Sequence, residues 1–181
     1  MPSAVKRRRT RTPRSSVAAP KSRAQKITTY LWFNDNAEEA ITLYTSIFRN
    51  SKILTMSRYG DAGPGAKGRV MVATFQLEGQ TFCALNGGPQ YNFTPAISLL
   101  VDCETQAEVD ALWSKLLAGG GQEDMCGWLK DKFGLSWQII PSILGRYLSD
   151  KDPNKAKRVM QAMLQMRKID IAKLKHAYNA V

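Results

Sequence analysis

Apolar and polar residues from Ile27 onward first alternate, then recur at helical spacing, and this switch of period happens twice along the chain. In "ITTYLWF", Ile27, Leu31 and Phe33 fall on one side of an extended segment and Thr28, Tyr30 and Trp32 on the other, which predicts a strand with both faces occupied. "NDNAEEAITLYTSIFRN" then takes the helical period. Asn36 stands at the N-cap position, Glu38 and Glu39 sit in the first turn, and Ala40, Leu43, Tyr44, Ile47 and Phe48 make the apolar stripe. Three strand-like runs follow at about 52–59, 69–78 and 80–86, with a Gly/Pro loop between the first two and Glu78-Gly79 as a tight turn between the others.

The second half repeats the order. "AISLLVDC" (96–103) reads as a strand. "TQAEVDALWSKLLAGGG" reads as a helix capped by Thr105, with Glu108 at the capping-box position and Gly119 as its stop. "MCGWLKDKFGLSWQII" supplies further strands. "AEEAITLY" matches "AEVDALWS", so the chain contains a duplicated β-α-β-β-β module of about 65 residues. Beyond Pro141 the pattern predicts helix throughout, with Asp152-Pro153 as a start signal.

Charge changes the picture only when it is divided along the chain. Residues 1–26 carry nine bases and no acid, residues 27–143 eight bases and twelve acids, and residues 144–181 nine bases and three acids. The basicity belongs to the ends. Residues 1–25, with Pro2, Pro13 and Pro20, cannot bury a core and are expected to be a disordered basic tail. Residues 26–143 form the expected domain (modules about 26–90 and 95–143), and 144–181 a helical extension. A nucleic-acid contact through the basic ends ranks lowest among the readings, because the body is acidic and offers no base-reading motif. Cys83, Cys103 and Cys126 lack metal or disulfide spacing and read as reduced thiols of a cytoplasmic protein. No apolar run approaches the ~18–20 residues of a membrane span.

Candidate chemistry is sparse. "GPGAKG" at 63–68 fits a dinucleotide fingerprint in letters but leads into a strand and contains Pro64, so it reads as a flexible connection. The single histidine, His176, lies in the last predicted helix, which leaves no imidazole set for a metal or a Ser-His-Asp triad.

The duplicated module, with "LWFNDNAEEAITLYTSIF", "ALNGGP", "CGWLKDKFG" and "GLSWQIIP" at these places, resembles the vicinal oxygen chelate superfamily (glyoxalase I, extradiol dioxygenases, bleomycin- and fosfomycin-resistance proteins), and within it the PhnB-like branch. The resemblance extends over about 26–180. It implies an α+β fold in which two βαβββ modules form a curled mixed-sheet cup, with C-terminal helices. Carried over onto this chain, the ligand places fall at Thr28 or Thr29, with alternation favouring Thr28, at Ala96 or Ser98, near Asn86, and at Gln138. Tyr30 and Trp32 line the cup beside them. None of these is His, Asp or Glu. The resemblance therefore implies a homodimer that binds or transforms a small molecule without a tightly held metal, with weak divalent binding left open. A metal-dependent lyase, isomerase or dioxygenase is the alternative. The methyltransferase label attached to this branch has no counterpart here in a glycine-rich strand-to-helix turn.

Overall fold

A computed structural model describes residues 25–180, so the basic tail expected at 1–25 lies, apart from Gln25, outside the described residues. The two modules follow one plan. The first consists of β1 (Thr29–Phe33), α1 (Ala37–Ile47), β2 (Lys52–Arg58), β3 (Val70–Leu77) and β4 (Gln80–Asn86). The second consists of β5 (Ser98–Cys103), α2 (Gln106–Leu117), β6 (Gln122–Glu123), β7 (Trp128–Lys130) and β8 (Ser136–Pro141). Each forms a four-stranded mixed sheet, in the orders β1-β4-β3-β2 and β5-β8-β7-β6. In each the first strand lies parallel to the last, and the other pairs are antiparallel. The fold is the α+β vicinal oxygen chelate architecture. The repeat is unequal at one edge, where seven-residue β2 corresponds to two-residue β6.

Alternation assigns the faces. Leu31 and Phe33 of β1, Phe75 of β3 and Phe82 and Ala84 of β4 are buried against α1, whose Ala40, Ile41 and Tyr44 are fully enclosed. Leu129, Trp137 and Ile139 of the second sheet are buried in the same cluster with Val109, Leu112 and Leu116 of α2. Tyr44 of α1 and Phe48 just past its end both meet the Trp137 ring, at centroid distances of 5.3 and 5.4 Å. Both sheets thus turn one face toward a shared, helix-containing core and the other face outward. Ile27 departs from its expected place: the strand begins only at Thr29, and Ile27 is 86% exposed.

Capping differs between the helices. Thr105 Oγ1 accepts from Glu108 N at 3.2 Å, as expected for α2. Asn36 makes no side-chain cap on α1. Its place is taken from across the module by Asn86, whose Oδ1 accepts from Ala37 N at 2.9 Å.

The segment after Pro141 is three helices, α3 (Ser142–Leu148), α4 (Pro153–Met163) and α5 (Ile171–Asn179). The first restart was legible: Asp152 accepts from Asn154 N and Lys155 N at the head of α4. The second break at 164–170 was hidden by continuing apolar periodicity. There the backbone leaves the helix to bond the second module, with Cys126 N donating to Met166 O and Gly127 N to Arg167 O, both at 2.7 Å. Leu144, Val159, Met166, Ile169 and Leu174 form a second cluster that also packs on Ile140 of β8.

Candidate functional site

The outward face of the first sheet carries Tyr30 and Trp32 of β1, with Cys83 and Leu85 of β4 directly opposite them. Thr28, which alternation favoured for this face, is half-buried and lies one residue before the strand, which begins at Thr29. Tyr30 is 54% exposed. Trp32 is held in place: its Nε1 donates to Gly88 O at 2.9 Å, and its ring meets Tyr91 edge-on at 5.1 Å. The ring also lies on Gly87, where a Cβ would fall 2.2 Å from it, so only glycine admits this approach. Thr74 Oγ1 lies 3.6 Å from Cys83 Sγ on the same face.

The outward face of the second sheet carries Ser98 and Gln138. Gln138 Nε2 donates to Ser98 Oγ at 2.8 Å. Among the described residues no donor reaches Gln138 Oε1. Gln138 is opposite Leu100 on one side and Trp128 on the other, and Leu100 is 59% exposed. The polar residue inside the apolar run "SWQII" thus stands on the sheet's open side, while Trp137 and Ile139 fill the core.

Asn86 does not belong with these residues. It follows Phe82 and Ala84 on the helix side of β4, is 6% exposed, and has both amide ends committed, Oδ1 to Ala37 N and Nδ2 to Val70 O at 2.9 Å. The expectation that it lines a cup is corrected: its position at the strand end suits it to hold a helix start. The structure therefore brings Tyr30 and Trp32 together on one sheet, with Thr28 just before its first strand, and Ser98 and Gln138 together on the other. Within one chain it does not join the two groups, because the shared core lies between their sheets.

Three features escaped the sequence reading. Cys83 and Leu85 share the face of Tyr30 and Trp32, which the alternation in "QTFCALN" could have revealed. Lys130 lies on the face of Gln138, since Leu129 is buried and Trp128 and Lys130 must point the other way. Asp131 is 3% exposed and accepts four hydrogen bonds: Phe133 N (2.9 Å) and Leu135 N (3.0 Å) on Oδ1, Tyr44 Oη (2.7 Å) and Trp137 Nε1 (2.9 Å) on Oδ2. Burial, then the adjacent Asp131 charge, push the Tyr44 phenol well above its ordinary range. This network joins α1 of the first module to the last strand of the second. Its sequence signal was an Asp three residues before a turn glycine.

A groove of about 840 Å³ lies elsewhere. It runs along the solvent side of α1 past Asp35, Glu38, Glu39, Arg69 and Lys132. Its cations are already matched, Arg69 by Asp35 and Lys132 by Glu39, and beside it Arg58 binds Glu38. Such an open, neutralised groove lacks the apolar enclosure a small molecule requires. "GPGAKG" is also accounted for. Tyr59, whose Oη donates to Asn86 O at 2.9 Å, has its ring so close to Gly63 and Gly65 that a Cβ at either would collide with it.

Among the described residues no group of three His, Cys, Asp or Glu side chains converges. The oxygen donors at the ligand places are hydroxyls and one amide, with the Lys130 ammonium beside them.

Comparison with known proteins places these observations in context. The family described as 3-demethylubiquinone-9 3-methyltransferase matches residues 25–140. A solved structure of the PhnB protein from Bacillus cereus is 45% identical to the chain, which spans 100% of that protein with 65% of its own length at a TM-score of 0.61. A protein of Pseudomonas aeruginosa, 24% identical, aligns over 98% of its length and 65% of this chain with a TM-score of 0.55, a likeness of fold. Comparison with curated proteins gave no match. The family match ends at residue 140, so α3 to α5, which the sequence resemblance took in, lie beyond it.

Proposed function

The chain belongs to the 3-demethylubiquinone-9 3-methyltransferase family, the PhnB-like branch of the vicinal oxygen chelate fold, and from that premise we propose that it binds a small molecule in a cup built between two copies. The outward face of the first sheet of one copy forms one wall, with Thr28, Tyr30 and Trp32. The outward face of the second sheet of the other copy forms the opposite wall, with Ser98 and Gln138. One observation carries this reading: the candidate residues lie on two separate half-apolar faces, each without a roof in its own chain. Exposed Tyr30 on one and Leu100 on the other are the kind of apolar surface that pairing removes from water.

The chemistry favoured at this cup is recognition by hydroxyl and amide groups without a resident metal. Methyl transfer, which the family description names, gains no support from this chain. Its strand-to-helix connections, Asn34-Asp35-Asn36 and Glu104-Thr105, are polar and contain no glycine to admit the phosphate or sulfonium part of a nucleotide cofactor.

The test is made in two parts. Sedimentation of the full chain should give a dimer, and Leu100→Asp should shift it to monomer with the fold retained by circular dichroism. A thermal-shift ligand screen, run with and without divalent metals, should then find ligands whose effect is lost in Gln138→Leu. A monomeric wild type, or stoichiometric Zn, Ni, Fe or Mn by elemental analysis of the purified protein, would overturn the reading.

A further inference from the structure

We infer that the open face of the second sheet is built to take an oxyanion, so that the ligand is a small molecule bearing a carboxylate or phosphate-like group; this rests on the small-molecule reading above and names the class of its ligand. Ser98, Ser136, Lys130 and Gln122 are direct register partners on four successive strands, β5, β8, β7 and β6. They form a single row across the sheet, with neighbours about 5 Å apart. Gln138 stands in the next row with its Nε2 on Ser98 Oγ.

Ser136 is 3% exposed, so the donors that the row presents to a ligand are the Ser98 hydroxyl, the Lys130 ammonium and the Gln122 carboxamide. None is acidic. Lys130 is half-buried, and among the described residues it forms no ion pair. The acids near it in sequence are engaged elsewhere. Glu123 accepts from Trp113 Nε1 at 2.9 Å, Asp124 from the Met125 backbone, and Asp131 from the four donors already described. A cation held partly out of water with no ion-pair partner is stabilised by a bound anion, and the Gln122 carboxamide beside it can donate to the anion's remaining oxygens. Leu100 and Trp128, flanking Gln138 in the second row, supply apolar area for the rest of the molecule.

The full chain is titrated calorimetrically with inorganic phosphate, with acetate and with neutral acetamide. Saturable binding of phosphate or acetate is expected, weakened about tenfold or more in Lys130→Met and largely restored in Lys130→Arg, as a charge-assisted contact requires. Melting temperatures of both variants should stay near wild type, because Lys130 contributes no packing to the core. Equal anion binding by wild type and Lys130→Met would overturn the inference, since the anions would then sit on the basic tail. Absence of saturable anion binding would overturn it as well. Acetamide binding that survives Lys130→Met but is lost in Gln138→Leu would overturn the oxyanion class while leaving the small-molecule reading standing.

Discussion

Asp131 holds four donors with two oxygens in a place water does not reach, and an amide cannot replace it. In Asp131→Asn one acceptor becomes a donor facing Tyr44 Oη and Trp137 Nε1, and buried donors left without partners cost about 1–3 kcal/mol each. We expect a loss of roughly 2–4 kcal/mol in denaturant unfolding. Asn86→Ala, which removes the Ala37 cap and the Val70 tie, should cost about 1–2 kcal/mol by the same measurement. Cys103 gives a chemical check. Burial foremost, then the charges of Glu108 and Asp102, push its thiol up to about 12, so an alkylating reagent at neutral pH should leave Cys103 unmodified in the folded protein while half-buried Cys83 and Cys126 react first. At this scale the sequence told polarity but not orientation. The face of Gln138 was an exception, because alternation with Trp137 and Ile139 in one strand sets it. Asn86 was misplaced because an Asn before Gly-Gly-Pro is equally suited to a turn, a ligand contact or a remote cap, and only the distance to Ala37 decides. Lys130 was overlooked because β7 is three residues long, too short for its alternation to stand out.

Elements were more legible than residues wherever the period was strong. β1, α1, β3, β4, β5 and α2 lie close to where the alternation and the stripes put them. The break between α4 and α5 was not legible, because a segment can keep helical spacing of apolar residues while its backbone bonds to another element. Their attachment predicts an acid response. Asp110 on α2 is held below the usual carboxylate range by hydrogen bonds from Lys168 and then Gln106. Asp150 is lowered likewise by Tyr178 and then by the Asp152 backbone. A depressed folded-state pKa gives stability that is present above the ordinary carboxylate pKa and is lost as pH falls through the folded value. Both groups keep access to water, so the effect is small. Amide hydrogen exchange should nonetheless accelerate in α5 relative to α1, after correction for intrinsic rates, as pH drops below about 4. Equal protection in both helices down that range would contradict this attachment. Gln106 fastens the same joint, donating to Ile169 O at 3.1 Å and accepting from Ile171 N at 2.8 Å, so Gln106→Ala should loosen α5 at every pH.

Across the whole molecule, the duplicated plan and its α+β architecture could be read before any coordinate, because two copies of one pattern reinforce each other. How the copies sit together could not, since that depends on which aromatic residues meet across modules, and no local period encodes it. The contact of Tyr44 and Phe48 with Trp137, locked by Asp131, decides it. A consequence concerns how the protein comes apart. The halves resemble two small domains in sequence, yet neither keeps its own interior: divided near residue 92, each would leave aromatic surface and buried hydrogen-bonding groups without partners. Unfolding should therefore be a single cooperative event for residues 25–141. Separately expressed halves should be unfolded alone and recover helix and tryptophan fluorescence only on mixing, so that the repeat records a history of duplication while the thermodynamic unit is the pair.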